Sequence, residues 1–170
     1  MDSNPILNVV LVAPEIPHNT GNIIRLCANV GARLHLVEPL GFQLNNPRLR
    51  RAALDYRDLT EIITHTSIDA FLDSVDIATV YGAVIDGQVP YTEPEYHVGD
   101  TIIFGSESVG LVDDIVSCLP KKNRLRIPMK PANRSLNLSN AAAIIVYEMW
   151  RQMGFSGSVD AADLEQPYFS

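Results

Sequence analysis

The sequence predicts an α/β fold in which a mostly parallel sheet is flanked by helices. Short apolar runs with β-branched residues recur along the 170-residue chain, and segments with helical spacing lie between them. Short strands that alternate with helices are typical of βαβ units and of a parallel sheet. A chain of this length also fits one domain, which buries roughly two thirds of the surface that its unfolded form exposes.

Five runs are predicted to form strands. They are "LNVVLVA" (7–13), "LHLVE" (34–38), "IATVYGAVI" (77–85), "TIIFG" (101–105) and "LRIPM" (125–129). Three short helices are predicted between them, in "PRLRRAALDY" (47–56), "SIDAFLDSV" (67–75) and "VDDIVSCL" (112–119).

The first helix is predicted to begin at Asn19 or Thr20, either of which can cap it, and to end before Gly31. Its buried side comprises Ile23, Ile24, Cys27 and Ala28. A second, polar face comprises Asn22, Arg25 and Asn29, which follow helical spacing. We therefore expect this helix to present hydrogen-bonding side chains away from the core.

The last helix is predicted from about Leu138 to Met153, with Gly154 as its stop. One apolar stripe comprises Leu138, Ala142, Ile145, Met149 and Met153. A second comprises Ala143, Val146, Tyr147 and Trp150. A helix that is apolar on two sides needs two partners, so we expect the sheet to cover one side and a second copy of the chain the other. Burial of both sides within one subunit is the alternative.

The cysteines and histidines give little support for a metal site. Cys27 and Cys118 lie in apolar helical contexts and are predicted to be buried thiols. The four histidines show neither an HExxH pattern nor paired spacing. The first residues carry an acid but no basic region, and Pro14 interrupts their apolar run, which argues against a signal peptide or a membrane span. We therefore expect a cytoplasmic protein with reduced thiols.

The charges are segregated along the chain, although the formal net charge is −7. Six of the thirteen basic residues fall within 25–57, six more fall within 121–134, and only Arg151 lies elsewhere. Residues 58–120 contain twelve acids and no Lys or Arg. If the two basic segments meet in space, they form a positive face that suits an anionic substrate. Ordinary solvated surface charges would give the same pattern.

Several familiar sites are absent from the sequence. There is no GxxxxGK[ST] phosphate loop and no GxGxxG dinucleotide loop after the first strand. A GxSxG hydrolase elbow centred on Ser108 would need a glycine where the chain has Ser106. The sequence thus disfavours ordinary nucleotide-binding loops and a serine hydrolase.

Three loop segments remain as candidates for chemistry, and each follows a predicted strand. They are "APEIPHNTGNIIRL" (13–26), "FGSESVGL" (104–111) and "IPMKPANRSLNLSN" (127–140). In open parallel sheets, ligands bind outside the carboxyl ends of the strands, where such loops gather. Gly105 and Gly110 allow close approach of a backbone to a ligand, and the run from Ile127 to Met129 offers an apolar wall for a flat ring. Turn and helix-capping roles are the alternatives for these residues.

These three segments, in this order, resemble the three sequence motifs of the SPOUT class of RNA methyltransferases, a knotted α/β family that uses S-adenosylmethionine. Four stretches more closely resemble the tRNA (cytidine/uridine-34)-2′-O-methyltransferase subfamily: "PEIPHNTGNIIRLCANVG", "LRRAALDY", "FGSESVGL" and "RIPM…RSLNLSNAAAIIVYEMWRQMGF". The resemblance runs from about Asn8 to Phe155. It indicates a single methyltransferase domain over residues 1–155 and an irregular tail over residues 156–170.

The resemblance implies a deep carboxyl-terminal trefoil knot, a feature that sequence patterning alone would have excluded. It implies that the knot binds S-adenosyl-L-methionine, without a metal, and releases S-adenosyl-L-homocysteine. The implied cofactor contacts are Ala83, Gly105, Glu107, Gly110, Ile127, Met129, Ser135 and Leu136.

The resemblance also implies catalytic roles for Arg25 and Asn22. The implied contacts to substrate RNA are Asn19, Asn22, Arg25, Arg48, Arg50 and Arg51. The implied partners are the anticodon stem-loop of tRNA and a second copy of the chain, with Tyr147 in the dimer interface. Neither a membrane nor DNA is an implied partner. Asp86 and Val109 stand where close relatives commonly carry basic residues, which removes positive charge near the expected RNA side.

A ribose hydroxyl is a poor nucleophile at neutral pH, so we expect the protein to contribute mainly in-line positioning and help with one proton. The side chain of Arg25 is suited to hold a phosphate or the hydroxyl itself by hydrogen bonds. It is a poor general base because a guanidinium has a pKa above ~12. The alternatives that stay open are 2′-O-methylation elsewhere in tRNA or in ribosomal RNA, RNA binding without catalysis, and a small-molecule α/β enzyme.

Overall fold

The computed structural model describes residues 5–53, 60–132 and 135–159. They form a seven-stranded sheet with the order β3-β2-β1-β6-β4-β7-β5, in which every neighbouring pair is parallel. The strands are β1 Asn8–Val12, β2 Arg33–Val37, β3 Ile62–His65, β4 Val80–Ala83, β5 Val89–Pro90, β6 Thr101–Phe104 and β7 Arg124–Arg126. The predicted α/β class with a parallel sheet is confirmed, and the trefoil knot stays a prediction.

The helices lie on both faces of the sheet. They are α1 Pro17–Val30, α2 Pro47–Ala53, α3 Ile68–Leu72, α4 Asp113–Cys118 and α5 Leu138–Gln152. Alternate residues of β1 point to opposite faces: Val9 joins the core formed with α1, α2 and α5, whereas Val10 joins the core formed with Phe71 of α3 and Leu119, which follows α4. All four residues of β6 are buried, as expected for a central parallel strand that is covered on both faces.

All five predicted strands exist, and two more were missed. β3 lies at one edge of the sheet and is only partly buried, so its four residues lack a strong apolar signal. β5 has only two residues at the other edge. The run 77–85 was predicted as one strand, but Ile77–Thr79 forms a 3-10 turn that the Asp76 side chain caps, and β4 begins at Val80.

The predicted start of α1 is wrong. The helix begins at Pro17, and Ile16 occupies the N-cap position without a side-chain cap. Asn19 and Thr20 therefore lie inside the helix, where both are buried. The predicted end is confirmed, because Gly31 adopts φ 73° at the C-cap and its N–H bonds the carbonyl of Cys27.

Both predicted stripes of α5 are largely buried within this one chain. Ala142, Ile145 and Met149 of the first stripe are fully buried, and so is Val146 of the second. The indole Nε1 of Trp150 donates to the carbonyl of Ser156 at 3.0 Å. Tyr147 alone among the large residues of the second stripe is exposed, at 44%. The chain's own turns thus cover much of the side that was expected to need a second copy.

Only one of the two cysteines is buried. Cys27 lies in the core, where burial raises the pKa of its thiol. The prediction for Cys118 is wrong, because this residue ends the short helix α4 on its exposed side. None of the helices in the described ranges has both the length and the apolar character needed to cross a bilayer.

Candidate functional site

A cavity of about 530 Å³ opens at the carboxyl ends of β4, β6 and β7. Its wall comprises residues 83–85 at the end of β4, residues 104–110 at the end of β6, Leu125 of β7, and residues 127, 129 and 135–138 after β7. Ile16 and Asn19 at the start of α1 and Ala141 of α5 complete it. Cavities that bind small organic molecules usually measure about 300–1,000 Å³ and lie at such strand ends.

All eight side chains or glycines predicted to contact a cofactor line this cavity. They are Ala83, Gly105, Glu107, Gly110, Ile127, Met129, Ser135 and Leu136. The three loop segments that the sequence analysis identified as candidates for chemistry therefore meet at one edge of the sheet. Their roles in binding stay predictions.

The loop after β6 is a tight turn that presents its backbone to the cavity. The Gly110 N–H donates to the Ser106 carbonyl at 2.8 Å, and Gly110 adopts φ 75°, in the left-handed region. A Cβ on Gly105 would overlap the backbone of Gly110 and Leu111. Both glycines are thus required by the turn itself, as well as by any ligand that approaches it.

The cavity combines apolar walls with a few polar groups. The apolar side chains include Phe104, Leu125, Ile127, Met129, Leu136 and Leu138. Hydroxyls come from Ser106, Ser108 and Ser135. This composition suits a ligand with a flat apolar ring and several hydrogen-bonding groups.

Exposed apolar residues form the rim of the cavity. Ile85 is 65% exposed and Val109 is 68% exposed, and Ile16 and Leu136 are also exposed. Asp86, beside Ile85, lines a smaller neighbouring cavity with Lys121 and Arg124. Val109 therefore lines the larger cavity, and Asp86 lies next to it.

Glu107 joins the loop after β6 to the beginning of α1. Its carboxylate accepts from the Glu15 N–H at 2.8 Å, from the Ile16 N–H at 3.1 Å and from Asn19 Nδ2 at 3.1 Å. Its neighbour Ser108 donates a hydroxyl hydrogen bond to the Glu15 carboxylate at 2.5 Å. Both oxygens of Glu107 are therefore bonded within the protein.

Asn137 joins the same group of residues from the loop before α5. Its Nδ2 donates to Asn19 Oδ1 at 3.0 Å, while its Oδ1 caps α5 by accepting from the N–H groups of Ser139 and Asn140. Asn19 is only 4% exposed, and both ends of its amide are used. Burial thus separates Asn19 from the exposed polar face of α1, and its contact with RNA stays a prediction.

The remaining predicted RNA contacts lie on exposed surfaces of two adjacent helices. Asn22 and Arg25 are exposed on α1, as the helical spacing indicated. α2 packs against α1 and exposes Arg48, Arg50 and Arg51. These five side chains thus lie on neighbouring elements that lead away from the cavity.

The described basic residues of the second segment are divided between the two ends of β7. Lys121 and Lys122 precede β7, at the opposite end of that strand from the cavity loop. Arg124 donates to the carbonyls of Leu119 and Ser117, so its guanidinium binds the end of α4. Lys130 is exposed, and Arg57 and Arg134 lie outside the described residues.

Sequence reasoning missed several residues of the cavity wall. Ile16 was hidden by the wrong helix start, and Val84 and Ile85 were assigned to a strand. Leu138 was assigned to an apolar stripe of the last helix, and Ala141 was given no role. Within the described residues, no group of three or more His, Cys, Asp or Glu side chains is arranged to hold a metal ion.

Comparison with known proteins identifies close relatives over almost the whole chain. Residues 6–147 match the model of the SpoU rRNA Methylase family. A tRNA (cytidine(34)-2′-O)-methyltransferase of Aeromonas hydrophila is 49% identical over 154 residues, which cover 91% of this chain and 99% of that protein.

Solved structures share the fold. One solved structure is described as giving structural insights into the 2-OH methylation of C/U34 on tRNA. It superposes with a TM-score of 0.83 at 39% identity, and the match covers 91% of this chain and 94% of that chain. The SpoU methyltransferase AviRb from Streptomyces viridochromogenes, in complex with the cofactor AdoMet, has a TM-score of 0.80 at 23% identity, over 93% of this chain and 61% of its own. At that lower identity, the likeness concerns the fold alone.

Proposed function

Because this chain belongs to the SpoU rRNA methylase family, we propose that it methylates the ribose 2′-hydroxyl of nucleotide 34, a cytidine or uridine, in tRNA, with S-adenosylmethionine as the methyl donor. The observation that carries the proposal is the near full-length similarity to a methyltransferase of that specificity, together with a cavity formed by all three motif segments. The proposed domain spans residues 1–155, and residues 156–170 form the tail.

The residues of the cavity fit S-adenosylmethionine. Ile127, Met129 and Leu136 offer apolar surface for an adenine ring, and the turn from Gly105 to Gly110 offers backbone groups for a ribose or an amino acid moiety. The cofactor supplies an electrophilic methyl group on a sulfonium. Its presence in the AviRb structure, which has the same fold, supports this assignment.

The protein's own contribution is to orient the nucleotide. Asn22 and Arg25 lie one helical turn apart on the exposed face of α1, whose first turn reaches the cavity wall through Ile16 and Asn19. The guanidinium of Arg25 binds a phosphate or stabilises the developing alkoxide through charge-assisted hydrogen bonds. Correct alignment of the hydroxyl with the methyl group supplies most of the rate enhancement.

The exposed arginines of α2 extend this surface for the anticodon stem-loop. Arg48, Arg50 and Arg51 are close to α1 and can neutralise phosphates on either side of the target nucleotide. The acidic remainder of the chain keeps such binding transient. The proposed substrate, tRNA, places the reaction in the cytoplasm.

We further propose that the enzyme is a homodimer with Tyr147 in its interface. Tyr147 is exposed on α5 and packs edge-to-face on Trp150, with ring centroids 5.6 Å apart. Exposed aromatic residues are enriched in protein–protein interfaces.

The test is methylation in vitro, followed by nucleoside mapping. Purified protein, labelled S-adenosylmethionine and either bulk tRNA or ribosomal RNA are incubated, and the labelled nucleotide is mapped. We expect label at position 34 of a subset of tRNAs. Label at another tRNA position or in ribosomal RNA alone would overturn the specificity, and cofactor binding without transfer would indicate an RNA-binding protein that lacks activity.

Replacement of Arg25 tests whether substrate binding and cofactor binding depend on separate residues. Arg25→Ala should lower the turnover number by about a hundredfold or more, because transition-state charge loses its partner. Cofactor affinity, measured by calorimetry, should stay close to that of the wild type, since Arg25 does not line the cavity.

The matched control is Arg33→Ala, which removes an arginine paired with Glu61 at the other end of the sheet. It should leave turnover nearly unchanged. A large loss of cofactor affinity in Arg25→Ala would contradict the role given to α1.

A further inference from the structure

A chain of hydrogen bonds links the three loops around the cavity through their side chains. It runs from the Glu107 carboxylate to Asn19 Nδ2 at 3.1 Å, and from Asn19 Oδ1 to Asn137 Nδ2 at 3.0 Å. Asn137 Oδ1 in turn accepts from the Ser139 N–H at 2.9 Å, at the first turn of α5. One residue from each motif segment therefore takes part.

The direction of each bond in this chain is fixed. Asn137 Oδ1 faces backbone N–H groups, so its amide must present Nδ2 to Asn19. Asn19 must then present Oδ1 to Asn137 and Nδ2 to residue 107. Residue 107 must accept from Asn19 and from two backbone N–H groups, which a carboxylate does with two oxygens and an amide cannot do fully.

The bonds of Glu107 also hold the two residues that precede α1. α1 has no side-chain cap of its own and no acidic residue in its first turn. A carboxylate at a helix amino terminus satisfies unpaired N–H groups and interacts favourably with the helix dipole. The loop that lines the cavity therefore holds the end of the helix that carries Asn22 and Arg25.

A helix transmits displacement of its first turn along its length. Asn22 and Arg25 lie three and six residues beyond Asn19, within two turns, or roughly 11 Å. Because α1 is packed against the sheet and α5, a shift of its first turn changes the position of this face relative to the cavity. Misplacement of reacting groups by about 1 Å can lower a rate about a hundredfold.

We infer that Glu107 and Asn19 are positioning residues for methyl transfer, which set the distance between the substrate-binding face of α1 and the cofactor cavity. The inference rests on the proposed function. It gives the Glu107 carboxylate a role other than the cofactor contact that the sequence predicted.

The first variant is Glu107→Gln, which keeps the size of the side chain but replaces one acceptor oxygen with a donor. At saturating cofactor and tRNA, its turnover number should fall by roughly tenfold to a hundredfold. Its dissociation constant for S-adenosylmethionine, measured by calorimetry, should stay within about threefold of the wild-type value. The matched control Glu61→Gln removes the charge of a carboxylate that accepts from Arg33 just before β3, and it should leave both quantities unchanged.

The second variant pair tests the bond between residues 107 and 19. Asn19→Asp places two carboxylates in contact and should lose more activity than Glu107→Gln. The double variant Glu107→Gln with Asn19→Asp lets the new amide donate to the new carboxylate, so turnover should recover by about threefold or more over Asn19→Asp alone.

The outcomes separate this inference from the proposed function. If wild-type protein transfers no methyl group to tRNA, the proposed function fails and the inference fails with it. If wild type is active and Glu107→Gln is equally active, or loses only cofactor affinity, the inference alone is overturned. Should Glu107→Gln not fold, as judged by circular dichroism, the double variant decides, and turnover no higher than in Asn19→Asp contradicts the inference.

Discussion

Gly105 begins the turn that lines the cavity, at a point where the backbone leaves no room for a side chain. A Cβ there would overlap backbone atoms of Gly110 and Leu111, which cannot move as a flexible side chain would. Gly105→Ala should therefore open the turn and lower the affinity for S-adenosylmethionine by at least about tenfold, as measured by calorimetry.

Gly154→Ala is the matched control for this prediction. Gly154 has φ 68°, but its Cβ would meet no atom within 4 Å. This change should cost only the backbone strain, about 1–2 kcal/mol of the free energy of unfolding, and leave cofactor affinity unchanged. Wild-type affinity in Gly105→Ala would show that the turn does not form the binding surface.

At the scale of elements, β2 and β3 are joined by a pair of histidines. His35 Nδ1 lies 2.9 Å from His65 Nε2, and His35 Nε2 lies 3.2 Å from Asn8 Oδ1, so the neutral ring pair satisfies both contacts of His35. Phe71 of α3 packs edge-on against both rings. Burial, then the charges of His65 and Arg33, lowers the pKa of His35 from 6.5 to about 4, and burial lowers the pKa of His65.

This histidine pair predicts that the folded protein loses stability in acid. Because the folded protein holds the His35 pKa below its unfolded value of 6.5, the pair's contribution to stability is complete above that pH and is lost as the pH falls toward about 4. The loss should be at most about 3 kcal/mol of the free energy of unfolding. Urea unfolding between pH 7 and pH 4 measures it, and the pH dependence should be shallower in His35→Gln; equal slopes would contradict the assignment.

On the scale of the whole molecule, the exposed ring of Tyr147 predicts a dimer. Tyr147→Asp places a charge where the proposed interface excludes water, so sedimentation at micromolar concentration should give a monomer. If the second copy completes the site, methyl transfer should fall in parallel. Val112→Asp is the control, since Val112 is equally apolar and exposed but precedes α4 on the other face of the sheet. If the Tyr147→Asp protein is still a dimer, the interface lies elsewhere.

The sequence by itself determined the α/β class, five of the seven strands and the segments that form the cavity. Apolar periodicity specifies an element wherever burial is strong, as in β1 and β6, whose residues are almost all in the core. Loops that follow parallel strands must meet at the carboxyl edge of the sheet, so their residues could be grouped without coordinates. The polar face of α1, with Asn22 and Arg25, followed from helical spacing alone.

Only the tertiary structure decided which polar residues serve the fold and which face solvent. The residues just before α1 are hydrogen-bonded to Glu107, about 90 residues away in the chain, and no local signal reports such a partner. Asn19 is buried beside this contact, and helical spacing could not distinguish it from the exposed Asn22. The edge strands β3 and β5 form because neighbouring strands offer them hydrogen bonds. Local patterns record the free energy of burying apolar side chains, whereas the partner of a polar group is set by distant parts of the chain.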